Sequence, residues 1–118
     1  MRITTLVIAT VATLQLGMAA ASAHAHLKRA EPAVGSSVKT PPREVSIRFT
    51  QKLEPSFSTI EVTDASGKRV DNGRARITGN TMQVPLQPIG AGTYRVKWHA
   101  LSVDSHTTEG DFTFRVGQ

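Results

Sequence analysis

The sequence contains no cysteine. Small exported domains commonly rely on disulfides, so stability here must come from something other than a covalent staple. The absence also removes thiolate ligands. A metal centre would then draw on imidazole, carboxylate or amine nitrogen, donors that suit Cu(II) or Zn(II), and a bound ion would stabilise the fold by mass action. Aromatic residues are few, at 5%, and no basic cluster interleaves with them despite a formal charge of +5, so nucleic-acid binding is not expected. There is no Gly-rich phosphate loop and no HExxH motif, and no stretch carries a convincing helical period.

Long apolar runs are absent too. The best, Leu6 to Leu16, is interrupted by Thr10, Thr13 and Gln15 and falls short of the ~20 residues that span a bilayer. Preceded by Arg2 and followed by Ala21-Ser22-Ala23, it has the three-part pattern of a secretory signal, and residues 1–23 are predicted to be a cleaved signal peptide. No stable membrane insertion is expected after cleavage. Removal of 23 of the 118 residues leaves 95, a single domain over 24–118 with one modest core, and the formal charge falls to +4 as Arg2 is lost. A second small-x-small pattern, Ala23-His24-Ala25, would instead make His26 the N-terminus.

What is present is a series of short alternating segments. Leu27 to Pro32 reads as a first strand running into a turn at Pro32 and Gly35, with Pro41-Pro42 ending the loop beyond it. Glu44 to Phe49 places Val45, Ile47 and Phe49 on one face of a half-buried strand. Thr59 to Thr63 is a third strand, closed by Asp64-Ala65-Ser66-Gly67. Short extended pieces follow around Ala75 to Thr78 and Thr81 to Leu86, joined by Gly79-Asn80, a pair suited to a tight hairpin turn. The strongest strand signal buries Tyr94, Val96 and Trp98, and the last strand buries Phe112, Phe114 and Val116. About seven such strands fit an all-β Greek-key β-sandwich of immunoglobulin-like form. Gly90-Ala91-Gly92-Thr93-Tyr94 resembles a tyrosine corner, although Tyr94 also reads as an ordinary core aromatic.

The chemistry-bearing residues gather at two places far apart in sequence. Asp104 and His106 follow the strongest strand, and spacing of two puts both side chains on one side of an extended segment. Cleavage after Ala23 would make His24 the first residue, with an α-amine whose reference pKa of ~7.7–8.0 lets a metal displace its proton. The amine and Nδ1 of His24, the imidazole of His106 and the Asp104 oxygen would complete a tetragonal N,O set, the geometry that selects Cu(II). The plainer readings are that Asp104 and His106 are exposed turn residues and that the N-terminal histidines are a solvated tail. His26 is a possible auxiliary ligand, since an X-Ala-His N-terminus can bind Cu(II) with no fold at all. His99 falls on the outward face of its strand and reads as a surface histidine, and Met82 packs with Val84. Ser102, Asp104 and His106 do not form a hydrolytic triad, because residues spaced by two on one strand cannot bond in series. Glu109 and Asp111 read as loop and outward strand positions.

His24-Ala25-His26-Leu27 together with Trp98-x-x-x-Ser102-x-Asp104-x-His106 resembles the CopC family of periplasmic copper-binding proteins. The likeness runs from His24 through Glu31-Pro32 and Phe49 to Gly110-Asp111-Phe112-Thr113-Phe114-Arg115-Val116. It implies a cupredoxin-like Greek-key sandwich or barrel, with His24, Asp104 and His106 as ligands of one Cu(II) per chain, and cooperation with an inner-membrane copper transporter. Some members carry a Met-rich loop that binds Cu(I). Pro55 to Val70 has neither Met nor His here, so no Cu(I) thioether site is expected. Where some members have a glutamate near the Cu(II) site this chain has Gln51, which the resemblance casts as an uncharged hydrogen-bonding neighbour and not as an anionic ligand.

These readings converge on a non-enzymatic periplasmic copper carrier in homeostasis, resistance or uptake. Two rivals stand beside it. A copper oxygenase also chelates copper through an N-terminal histidine, but Asp104 as a ligand disfavours cycling through Cu(I). A secreted immunoglobulin-like interaction module would bind no metal.

Overall fold

The computed structural model describes residues 27–117, so the predicted signal peptide, His24 and His26 lie outside the described residues. The chain forms eight strands: β1 (Leu27–Glu31), β2 (Ser37–Val38), β3 (Glu44–Phe49), β4 (Thr59–Thr63), β5 (Arg76–Thr78), β6 (Thr81–Pro85), β7 (Gly92–Leu101) and β8 (Thr107–Val116). One 3-10 turn, Pro55–Phe57, is the only helical element among the described residues. Two four-stranded sheets, ordered β1-β3-β6-β5 and β2-β8-β7-β4, make a sandwich. Of the sandwich and barrel forms expected, the open sandwich is the one adopted.

Alternation dictates the core. Val45, Ile47 and Phe49 of β3 and Met82 and Val84 of β6 face Ile60 and Val62 of β4, Tyr94, Val96, Trp98 and Ala100 of β7, and Phe112, Phe114 and Val116 of β8; all are buried. Apolar side chains at every second position remove one face of each sheet from water, at ~25 cal/mol per Å². Trp98 is core: Phe49 meets it edge-on at 6.1 Å and Phe112 lies 6.3 Å away. Tyr94 stacks on Phe114 at 5.5 Å and its hydroxyl donates to the Gly90 carbonyl at 2.7 Å, so the tyrosine corner forms.

Two features were not expected. β2 pairs in parallel with the end of β8, Ser37 with Arg115 and Val38 with Val116. A two-residue strand has no periodicity to read, because pairing alone defines it. Glu109 also lies within β8 and not in a loop, directly opposite His99.

Asp71 is the buried polar anchor of the sandwich. Its carboxylate accepts from the Val62 amide at 2.7 Å, the Gly73 amide at 2.6 Å, and Arg69 Nε and Nη2 at 3.0 and 2.8 Å. Burial pushes its pKa up. The Arg69 hydrogen bonds, the two amides and the Arg69 charge outweigh that, and the carboxyl sits below its ordinary range.

Candidate metal centre

β7 and β8 form one long hairpin, paired without a break from Gly92–Val116 to Leu101–Thr107. Asp104 and His106 therefore stand in its closing turn and not on a strand end, which corrects the extended geometry expected from their spacing. The turn is closed by Ser102 N–H donating to His106 C=O at 2.9 Å and by Ser105 N–H donating to Ser102 C=O at 2.9 Å. Ser105 takes a φ of +73°, a conformation that non-glycine residues seldom adopt.

The two side chains still come together. His106 Nδ1 lies 3.3 Å from Asp104 Oδ1, and both groups remain exposed, the imidazole by 70% and the carboxylate by 45%. Ser102 Oγ also donates to Asp104 Oδ1. That bond holds the Asp104 carboxyl below the usual carboxylate range; partial burial opposes it, and the nearby His106 adds to the lowering. No hydrolytic triad results, because serine and histidine both bond the carboxylate and aspartate is the middle member. An anionic oxygen and an imidazole nitrogen at this separation match adjacent donors on one ion, which for bonds of ~2 Å at right angles lie about 2.9 Å apart. Among the described residues no third His, Asp or Glu joins them. Completion of a site calls for donors from elsewhere in the chain.

Several elements tie this hairpin to the start of β1. Leu53 bridges to Ser102, Glu54 N–H donates to Leu101 C=O at 2.8 Å, and Val103 N–H donates to Lys52 C=O at 2.9 Å. Gln51 lines a small depression with Phe49, Ser102 and His106, which sets it near the imidazole. Leu27 is paired with Phe49. Leu27, the first described residue, thus lies at the end of the sandwich that carries His106.

His99 is exposed on the outer face of β7, as alternation implies. It borders a wide cleft of about 770 Å³ between the outer edges of β4 and β5, with Ile60, Ile77, Arg74 and Glu109. That cleft contains neither Asp104 nor His106, so it lies apart from the closing turn. In the sequence Ser102 stands out only as a motif member and as a rejected triad residue; the signal for its contacts was a hydroxyl placed two residues before a carboxylate and four before an imidazole.

Fold and site together define a small β-sandwich domain that presents an exposed carboxylate and imidazole side by side at one end. The model of the CopC domain matches residues 27–117, and the chain belongs to the CopC family. It is 32% identical over 114 residues to Copper resistance protein C of Escherichia coli, covering 87% of this chain and 90% of that protein. It is also 32% identical over 100 residues to the Copper transport protein CutJ of Bacillus subtilis (strain 168), covering 81% of this chain but 18% of that protein. The solved structure of CopC from Methylosinus trichosporium OB3b aligns with a TM-score of 0.68 at 32% identity, covering 78% of this chain and 92% of that one.

Proposed function

We propose that the protein is exported to the periplasm, loses residues 1–23, and acts there as a copper carrier in homeostasis, resistance or uptake, without turnover. It holds one Cu(II) through His24, by amine and imidazole, and through Asp104 and His106. His26 is an auxiliary donor and Gln51 a hydrogen-bonding neighbour. The carrying observation is the 3.3 Å contact of the Asp104 carboxylate with the His106 imidazole, on a hairpin that shares its end of the sandwich with Leu27. Two donors from one hairpin satisfy half of a tetragonal set, and the anionic oxygen favours the higher charge of Cu(II) over Cu(I). Reduction would weaken binding and favour release. Family membership and a relative named as a copper resistance protein support copper as the ion. The match to a small part of a copper transport protein supports a membrane copper transporter as the partner.

The test is a Cu(II) titration of the mature protein, its N-terminus confirmed by mass, in competition with a chelator. One equivalent is expected, lost in Asp104→Ala/His106→Ala. If the double variant binds as well as the parent, copper sits on the His24-Ala25-His26 tail alone and the folded site is refuted.

A further inference from the structure

Ser102 is one of three buried polar residues among the described residues, with Ser58 and Asp71. Its position just past β7 is fixed by the bridge to Leu53, and the next residue is held through the Val103 amide to Lys52 C=O. From that anchored site its Oγ accepts from His106 N–H at 3.2 Å and reaches both Asp104 Oδ1 and His106 C=O. A hydroxyl has one proton to give. The His106 carbonyl already receives the Ser102 amide at 2.9 Å, whereas the carboxylate is charged, so the proton goes to Asp104. One buried oxygen thereby links the carboxylate of one donor residue to the backbone of the other.

We propose that Ser102 is a positioning residue for the Cu(II) site, its hydroxyl setting the spacing of Asp104 and His106 before the ion arrives. This rests on the copper reading above. The physical reason is entropy. Exposed aspartate and histidine side chains lose rotamer freedom when they ligate, and a turn already holding them together removes much of that cost. The left-handed backbone at Ser105 indicates a turn that needs such holding. Partners of this kind, one step behind the ligands, typically carry 10–100-fold in metal affinity.

The experiment compares the mature parent with Ser102→Ala and Ser102→Thr, using Cu(II) alone as the probe. Affinity is read by chelator competition and the ligand field by electron paramagnetic resonance, with thermal melts of the metal-free proteins as the folding control. Alanine is expected to fold, to bind about 10–100-fold more weakly and to change the Cu(II) spectrum, while threonine, which keeps the hydroxyl, restores both. Alanine binding within about twofold of the parent, with the parent's spectrum, overturns the inference. So does equal loss in both variants, which would assign the effect to bulk. A parent that binds no Cu(II), or is indifferent to Asp104→Ala/His106→Ala, brings down the copper reading and this inference with it. The parent arm shows that result separately from the Ser102 series.

Discussion

Asp71 and Asp104 both titrate below the ordinary carboxylate range, yet their surroundings differ in every other respect. The Asp71 side chain is 1% exposed and receives four hydrogen bonds from two amides and one guanidinium. The Asp104 side chain is 45% exposed, and its contacts with Ser102 and His106 both fall on Oδ1. A depressed carboxyl pKa therefore does not identify a ligand. What distinguishes the two is unspent coordination capacity in reach of solvent: Asp71 is saturated and structural, whereas Asp104 is held but open.

The sharpest way to break this comparison is to exchange the expected losses. Asp71→Ala should leave the Val62 and Gly73 amides unpaired and cost about 3 kcal/mol, a fall of roughly 12–24 °C in Tm, while the Cu(II) stoichiometry of the folded protein is retained. A melt within about 2 °C of the parent would show that Asp71 is no anchor. Next in size is the metal itself. Free Cu(II) at about a hundred times its Kd should stabilise the parent by about 2.7 kcal/mol. The same copper should raise the Tm of Asp71→Ala but not that of Asp104→Ala, whose metal-free melt should fall much less than that of Asp71→Ala because the carboxylate it loses is exposed. Copper-dependent stabilisation of Asp104→Ala equal to the parent's would remove Asp104 from the site.

Acid provides the third test. A carboxyl with its folded pKa below the unfolded value of ~3.9 contributes stability that is present above about pH 4 and lost as pH falls through the folded pKa. Because Asp71 is depressed in this way, the metal-free parent should lose stability in that acid window, and Asp71→Asn should flatten the loss. An unchanged acid limb in Asp71→Asn would assign the sensitivity to other carboxylates. The smallest effect is expected from Tyr94→Phe. Loss of the hydrogen bond to Gly90 should cost about 1 kcal/mol in urea melts and leave copper binding untouched, a control at the far end of β7 from the turn that carries Asp104.

Much of the fold was legible because strand alternation is a local signal. Val45/Ile47/Phe49, Tyr94/Val96/Trp98 and Phe112/Phe114/Val116 all turn the faces that their spacing implies. β2 was not legible, since two residues have no period and its strand character comes from Arg115 and Val116. Nor was Asp71. It stands before Asn72-Gly73, where an aspartate reads as an ordinary turn residue, and its amide partner Val62 lies nine positions upstream. At the hairpin, the spacing singled out Asp104 and His106 but implied an extended strand. The turn that gathers them depends on pairing across β7 and β8 and on the buried hydroxyl of Ser102.

The sequence alone determined the class of fold, the resemblance to CopC proteins, and the short list of donor side chains, because alternation, turn residues and motif spacing are all written in near neighbours. Only the tertiary structure decided which aspartate is saturated and which is open, that Gln51 and the start of β1 share an end with His106, and that Ser102 lies buried between the two donors. The shared end rests on contacts between segments tens of residues apart, such as Leu27 with Phe49 and Leu53 with Ser102. The bonds around Asp71 and Ser102, though short in sequence, form only once those segments are paired. Register across a sheet is fixed by the whole sandwich and not by any single strand.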